Sequence, residues 1–218
     1  MCLVALAWKA HPHWRLLMIG NRDEAHDRPT ADLQAWADRP GVIAGRDLRS
    51  GGSWMGASTS GRAAVVTNVR DPAASQHGPS RGQLVADYLS TATTAQAAAE
   101  QLQPQARHYP PFNLVLTDAE HCRYLGNHPA RATALAAGVH GLSNGALNAP
   151  WPKTRRLTGA LTQWLGTGHD DMEPLWAALA DQTPADDSEL PDTGVGLTLE
   201  RRLATAFITA AQIGRAHV

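Results

Sequence analysis

The chain opens with MCLVALAWKAHPHWRLLMIGNRDE, residues 1–24, and this stretch decides the fold. The run from Cys2 to Trp8 is almost wholly apolar, which is typical of a strand covered on both faces. Pro12 bars continuation of that strand, so the residues around it predict a turn. A second apolar run, residues 14–19, predicts an antiparallel partner strand that ends at Gly20.

A polar quartet, Asn21-Arg22-Asp23-Glu24, follows this second strand directly. A turn centred near His11 would pair residues whose numbers sum to about 22, so that Cys2 faces Gly20. Because neighbouring strands lie roughly 5 Å apart, the quartet is expected close to Cys2. The ordinary alternative is that the quartet is a solvated turn and Cys2 an apolar strand residue.

Cys2 becomes the first residue if the initiator methionine is removed, and its small side chain permits that removal. A terminal cysteine carries its own base, because its free α-amine titrates near ~8 and can take the thiol proton. An adjacent Arg22 would favour the thiolate, and Asp23 would orient the ammonium group or the arginine. The stretch therefore predicts a nucleophile at the N-terminus, and a retained Met1 would remove its base.

Composition narrows the classes of function. A chain of 218 residues with 43% hydrophobic residues is expected to form one domain with a sizeable core. The 19 basic and 20 acidic residues nearly cancel, so composition gives no case for nucleic acid or an anionic membrane. No run approaches the roughly 18 apolar residues of a membrane span, and the first run is too short for a signal peptide. We expect a cytoplasmic protein whose Cys2 and Cys122 are free thiols.

The remaining sequence predicts strands and helices in alternating groups. Short apolar runs bounded by glycines predict strands at residues 42–44, 53–57, 63–67, 112–117, 138–142 and 204–209. Helices are predicted after Ser80, over residues 94–102, after Pro152 and after Asp170. Residues 181–197 are predicted to form a surface loop. This order indicates an α+β layer arrangement.

Several blocks of sequence resemble the NRDE family, also called the transport and Golgi organisation protein 2 family. Besides Cys2 and the quartet, they are GGSWMG (51–56), TNVRDP (67–72), SRG (80–82), LSN (142–144), PWPK (150–153) and the weaker LPDTG (190–194). That family is similar to the N-terminal nucleophile hydrolases, especially the cysteine branch that cleaves bile-salt and penicillin amides. The resemblance implies a four-layer αββα sandwich that accepts a small-molecule substrate or ligand.

The resemblance also implies roles for particular residues. Carried over one by one, these are the nucleophile Cys2, its electrostatic partners Arg22 and Asp23, the oxyanion donor Asn144, and Asn68 as a second asparagine of the site. Asn21 and Glu24 complete the motif. Such donors contribute about 3–4 kcal/mol of transition-state stabilisation. The ordinary alternative is that the two asparagines cap strand ends.

Family association implies a non-catalytic alternative as well. Members are linked to haem trafficking and to lipid or acyl-CoA homeostasis, so the fold is expected either to hydrolyse a small amide or thioester or to carry such a ligand. The sequence predicts no metal site and no cofactor, and haem is the first ligand to consider. His11, His13, His26 and His77 are candidate axial ligands, although their spacing is not diagnostic. A structural relict without a ligand is the third hypothesis.

The C-terminus departs from the family pattern. Residues 213–218, IGRAHV, match a translated sequencing-adapter stretch, so they are expected to be a non-natural tail behind a domain of residues 1–212. The family usually has a Tyr-Gly-Thr-Arg turn and a further strand at this point. The sheet is therefore expected to lack its last strand, and the arginine of that turn to be absent.

Overall fold

The computed structural model describes residues 2–209 and the backbone of residues 213–216. Met1, whose removal the N-terminal nucleophile hypothesis requires, lies outside the described residues. The chain forms two compact units, each built around one antiparallel sheet with helices packed on it. The first unit contains residues 2–26, 70–72, 136–209 and 213–216, and the second contains residues 27–69 and 73–135.

A four-stranded sheet forms the first unit. Its strands are β1 (Cys2–Trp8), β2 (Leu16–Ala25), β10 (Gly138–Leu142) and β11 (Ile213–Ala216), in the order β10-β1-β2-β11. All neighbouring strands are antiparallel. The helices of this unit are α3 (Pro152–Leu165), α4 (Glu173–Leu179) and α5 (Leu197–Arg202).

The core of the first unit lies between β1 and α3. Alternate residues of the strand and one face of the helix form it: Leu3, Ala5, Ala7, Leu157, Leu161 and Trp164. These spacings are those of a single strand face and a single helix face. Helix α3 also packs closely on β10, since a Cβ added at Gly141 would lie 2.4 Å from the Thr154 methyl carbon. Glycine at this position therefore permits the approach that anchors α3.

A seven-stranded sheet forms the second unit, with its strands arranged in sequence order. They are β3 (Thr30–Ala35), β4 (Val42–Asp47), β5 (Met55–Ser58), β6 (Ala63–Asn68), β7 (Phe112–Thr117), β8 (Cys122–Asn127) and β9 (Ala130–Ala134). Helices α1 (Arg81–Leu89) and α2 (Ala95–Leu102) pack on this sheet. Each unit thus combines an antiparallel sheet with helices, which confirms the predicted α+β class.

The register of the first hairpin differs from the predicted one. Cys2 lies opposite Arg22, and the prediction that it faces Gly20 was wrong. The loop is longer than expected, because the N–H of Lys9 donates to the carbonyl of Arg15 at 2.7 Å and the second strand starts only after that residue. The shift amounts to two residues, so the predicted and observed registers place the same side chains of the two strands on a common face.

Strand β2 also extends further than predicted. It continues through Gly20 to Ala25, so the polar quartet lies within the strand instead of following it. A Cβ at Gly20 would lie 2.7 Å from the carbonyl oxygen of Leu3, so glycine is needed for this pairing. The sheet therefore fixes the backbone of the quartet, and its side chains alternate between the two faces.

Some other predicted elements were wrong or missed. The strand predicted over residues 204–209 is irregular chain, because its backbone is hydrogen-bonded elsewhere: the Ala206 carbonyl accepts from the Asn21 side chain. Strands β3, β8 and β9 and the six-residue helix α5 were not predicted. Of the predicted tail, residues 213–216 form β11, and residues 217–218 lie outside the described residues. Throughout the described residues, every helix is too short or too polar to cross a bilayer.

Candidate functional site

Cys2 is the first residue of β1 and is flanked by β2 and by the end of β10. Arg22 of β2 lies directly opposite. In an antiparallel pair, directly opposite side chains point to the same face, about 5 Å apart. On the other side, the hydroxyl of Ser143 donates to the Cys2 carbonyl oxygen at 3.2 Å. Strand pairing therefore holds the backbone of Cys2 beside Arg22.

The quartet of residues 21–24 divides between the two faces of β2. Arg22 and Glu24 share the face of Cys2, and their side chains form an ion pair at 3.3 Å. Asn21 and Asp23 share the opposite face. The Asn21 amide donates to two backbone carbonyls at 2.7 Å, one at the end of α4 and one after α5. Asn21 therefore has a structural role, since it ties these segments to β2.

Asp23 lies on the face of β2 that the helices cover, and its electrostatic partner there is Lys153, in the first turn of α3. Each of the two residues is only 2% exposed. Burial raises the pKa of the Asp23 carboxyl group, whereas the positive charges of Lys153 and Arg70 act in the opposite direction. Burial lowers the pKa of the Lys153 ammonium group to about 8, although the Asp23 carboxylate opposes this change.

The thiol of Cys2 is free and desolvated. Cys2 is partly exposed as a residue, yet burial of its thiol raises the pKa, and the carboxylates of Asp23 and Glu24 add to the increase. The Arg22 cation lowers the pKa of Cys2 but does not reverse the direction of the change. The surroundings of Cys2 therefore favour the neutral thiol over the thiolate.

Asn144 follows β10 and is completely buried. Because Leu142 pairs with Val4, the chain beyond Leu142 runs beside Cys2. The side-chain oxygen of Asn144 accepts a hydrogen bond from the Arg70 guanidinium at 3.4 Å, and its carbonyl accepts the Arg70 N–H at 2.7 Å. These bonds hold the amide of Asn144 in one orientation.

Arg70 forms a buried ion pair with Glu200 of α5, with side-chain exposures of 7% and 3%. Burial lowers the pKa of Arg70, whereas Glu200 and Asp23 raise it. The other carboxylate oxygen of Glu200 accepts the N–H of Thr193 at 3.0 Å. The loop of residues 181–197, which contains Thr193, is therefore connected to the site through Glu200.

The first unit brings together four of the predicted site residues: Cys2, Arg22, Asp23 and Asn144. Asn68 belongs to the second unit, where it ends β6 opposite Phe112.

Sequence reasoning missed three residues of the cluster, Lys153, Arg70 and Glu200. Lys153 and Arg70 stand in the PWPK and TNVRDP blocks that carried the family resemblance, so those blocks contained the signal. Glu200 has no comparable local signal.

The candidate haem ligands lie at the surface. His13, His26 and His77 are exposed and His11 is partly exposed. The rings of His11 and His13 are neighbours in the turn between β1 and β2, with centroids 5.6 Å apart. Among the side chains that the structure describes, no three from His, Cys, Asp and Glu lie close enough together to hold a metal ion.

A solved structure identifies the class of fold. The Caenorhabditis elegans N-acylethanolamine-hydrolyzing acid amidase ortholog matches with a TM-score of 0.55 at 11% identity, over 96% of this chain and 100% of that chain. That neighbour is an N-terminal nucleophile hydrolase, so the match confirms the predicted fold class.

The family model described as Transport and Golgi organisation 2 (TANGO2) matches residues 1–216, and the chain belongs to this family. The Transport and Golgi organization protein 2 homolog of Bos taurus is 29% identical over 209 residues, which cover 89% of this chain and 76% of the relative. The Homo sapiens homolog is 27% identical over 212 residues, with the same two shares. The Drosophila melanogaster protein is 25% identical over 174 residues, 71% of this chain and 62% of that protein.

The buried ion pair predicts a large effect of Glu200→Gln on stability. The change leaves the Arg70 cation buried without its closest counter-ion, so the free energy of unfolding should fall by about 3 kcal/mol. Glu189→Gln is the matched control, because the ion pair of Glu189 with Arg155 is exposed and should contribute less than about 1 kcal/mol. Denaturant unfolding measures both. Equal losses in the two variants would contradict a special contribution of the buried pair.

The lowered pKa of Lys153 predicts that the free energy of unfolding depends on pH. This dependence should be absent in Lys153→Met. The folded-state pKa of about 8 lies below the ordinary 10.5, so between these values the unfolded chain binds more protons and stability rises with pH. Below pH 8 the wild type carries the full cost of a buried cation. The stability of Lys153→Met relative to the wild type should therefore fall by about 2–3 kcal/mol between pH 7 and pH 10.5. Urea unfolding across this range tests the prediction, and a constant difference would contradict it.

Proposed function

We propose that the chain hydrolyses a small-molecule amide or thioester, with Cys2 as the nucleophile. One observation carries this proposal: the pairing of β1 with β2 sets Cys2 opposite Arg22, within a buried cluster that also contains Asp23 and Asn144. Buried groups with perturbed pKa values around one nucleophile are typical of catalytic sites. A location in the cytoplasm is part of the same proposal.

The chemistry begins with attack of the Cys2 sulfur on the substrate carbonyl carbon. A carbon–sulfur bond forms while the thiol proton passes to a neighbouring amine, for which the α-amine of a processed chain is one candidate. When the tetrahedral intermediate collapses, the bond to the leaving amine or thiol breaks and that group receives the proton. Water then attacks the thioester on Cys2, the carbon–sulfur bond breaks, and the acid is released with the thiol restored.

Asn144 is the proposed donor to the oxyanion of the intermediate. Its side-chain oxygen accepts a hydrogen bond from the Arg70 guanidinium at 3.4 Å. The NH₂ group of the same amide is consequently oriented without any motion during the reaction. A fixed donor of this type stabilises the transition state more than the ground state.

Labelling with acyl probes tests the nucleophile. The structural neighbour is named for hydrolysis of N-acylethanolamines, so an N-acyl amide and an S-acyl thioester are the first probes. Intact mass spectrometry should detect an acyl adduct on Cys2 in the wild type and none in Cys2→Ala. Asp23→Asn should speed adduct formation at neutral pH, because it removes a carboxylate that raises the pKa of Cys2.

Cys122→Ala is the matched control for the second thiol. Cys122 is buried, and burial raises its pKa to about 12, so its removal should leave labelling unchanged. Mass spectrometry of the N-terminus comes first, because a retained Met1 would contradict the α-amine as base. An adduct that survives Cys2→Ala, or no adduct on a chain that begins at Cys2, would contradict the nucleophile itself.

A non-catalytic carrier of haem, lipid or acyl-CoA is the second candidate function, and the adjacent rings of His11 and His13 favour haem among these ligands. The Nδ1 atom of His11 lies 3.2 Å from the backbone nitrogen of His13, so its Nε2 atom is the ligating edge. Haemin should bind saturably to the wild type and lose this binding in His11→Ala, whereas His77→Ala serves as the exposed control. Absorbance that does not saturate, or that survives His11→Ala, would contradict this site.

A further inference from the structure

The LPDTG block of residues 190–194 lies beside the segment that carries Arg70. Gly194 adopts a φ of +80°, and a Cβ atom added there would lie 3.7 Å from the Cδ atom of Pro72. The N–H of the same glycine donates to the side chain of Asp192 at 3.0 Å. The block is therefore a local turn packed against residues 70–72.

Glu200 joins the LPDTG block to Arg70. One of its carboxylate oxygens accepts the N–H of Thr193 at 3.0 Å and also the Thr193 hydroxyl. The other oxygen accepts a hydrogen bond from the Arg70 guanidinium. Only 3% of Glu200 is exposed, so protein donors take the place of water at both oxygens. The orientation of this carboxylate is therefore set jointly by the block and by Arg70.

Arg70 divides its two terminal nitrogens between Glu200 and Asn144. Nη1 donates to the carboxylate, and Nη2 donates to the side-chain oxygen of Asn144 at 3.4 Å. Because the guanidinium group is rigid and planar, the position of one nitrogen fixes the direction of the other. The Trp151 ring, whose centroid lies 5.3 Å from the Arg70 Cζ atom, further limits rotation of the group. A lysine ammonium is a single nitrogen and cannot reproduce this separation of two donors.

The far end of this series lies next to the strand of the nucleophile. Ser143, which directly precedes Asn144, donates its hydroxyl to the Cys2 carbonyl oxygen at 3.2 Å. Asn144 itself is completely buried. A continuous hydrogen-bonded series therefore runs from the LPDTG block to the site, through Thr193, Glu200, Arg70 and Asn144.

We propose that Thr193 and Glu200 are positioning residues for the reaction, because they fix, through Arg70, the amide that receives the oxyanion. This inference rests on the proposed hydrolase function and assigns the LPDTG block a role in it. The Asn144 amide acts when negative charge develops on the substrate oxygen, so its orientation affects the transition state more than substrate binding. A displacement of about 1 Å at such a donor lowers the rate about 100-fold. The block should therefore determine the maximal rate of acylation and leave the affinity for substrate unchanged.

Thr193→Val tests the outer end of the series. Valine keeps the size of the side chain and the backbone N–H but removes the hydroxyl donor to Glu200. Intact mass spectrometry measures the rate of Cys2 acylation over a range of concentrations of an N-acyl amide or S-acyl thioester probe. The maximal rate should fall about tenfold, while the concentration for half-maximal rate changes less than about twofold. Thr193→Ser should restore the rate, since it restores the donor.

Thr183→Val is the matched control for Thr193→Val. The N–H and hydroxyl of Thr183 also donate to one oxygen of a carboxylate, that of Asp181, whose other oxygen forms an ion pair with Arg156. Arg156 donates onward to two backbone carbonyls of the same loop, whereas the other series continues to Asn144. Thr183→Val should therefore leave the acylation rate unchanged.

Arg70→Lys tests the middle of the series without removing a charge. It should lower the maximal acylation rate about 100-fold, again with little change in the half-maximal concentration. Arg156→Lys is its control and should leave both values unchanged. Alkylation of Cys2 by iodoacetamide separates positioning from folding and thiol reactivity, because this displacement forms no oxyanion on a carbonyl carbon. All of these variants should therefore alkylate at the wild-type rate.

A double-mutant cycle with Asn144→Ala identifies the end point of the series. In that background, Thr193→Val and Arg70→Lys should cause no further loss, because the donor that they position is absent. Wild-type acylation in both single variants, a loss that persists in the Asn144→Ala background, or an equal loss of alkylation would overturn the inference and leave Cys2 as the nucleophile. A wild-type chain beginning at Cys2 that no probe acylates would instead reject the hydrolase itself.

Discussion

The antiparallel register between β1 and β2 is the constraint on which the site depends. Cys2 pairs with Arg22, and the sheet hydrogen bonds on either side set this pairing. A shift of one residue would exchange the faces of the quartet, so that Asn21 and Asp23 would lie on the side of Cys2 and Arg22 and Glu24 on the opposite side. With the observed register, Arg22 faces the thiol, while Asp23 points to the helix layer where Lys153 lies. The pairing of β1 with β2 thus places the Arg22 cation on the face of the Cys2 sulfur and the Asp23 carboxylate on the opposite face.

The charges behind Cys2 form a buried and nearly balanced set. Asp23 and Glu200 oppose Lys153 and Arg70, and all four side chains are less than a tenth exposed. Arg70 is fixed by Glu200 and holds the amide of Asn144, so it acts as a structural cation. Lys153 lacks such a hydrogen-bonded partner among the described residues, and its charge is the one that can change near neutral pH. The two cations therefore differ, because Arg70 is held by hydrogen bonds whereas Lys153 is balanced chiefly by the charge of Asp23.

Proximity of Cys2 to the quartet could be predicted because it depends on local pairing of consecutive strands. The register was predicted wrongly by two residues, since the span of the turn depends on the Lys9–Arg15 hydrogen bond, which no periodicity reveals. Asn144 was predicted through family resemblance, and it lies buried directly after β10. Glu200 could not be predicted, because it meets Arg70 across 130 residues of sequence. Long-range partners of this kind are decided by packing of the whole unit.

Burial and charge act in opposite directions at Lys153. An apolar side chain of similar length would fill the same space without the cost of desolvating an amine, so packing alone does not explain the lysine. Arginine would supply a cation for Asp23 at every pH, and the chain uses arginine at nearly all its other basic positions. Only lysine combines a stem long enough to reach the cluster with a proton that burial makes labile. A lysine at this position therefore gives the buried cluster a cation whose protonation changes near neutral pH, at a cost in stability.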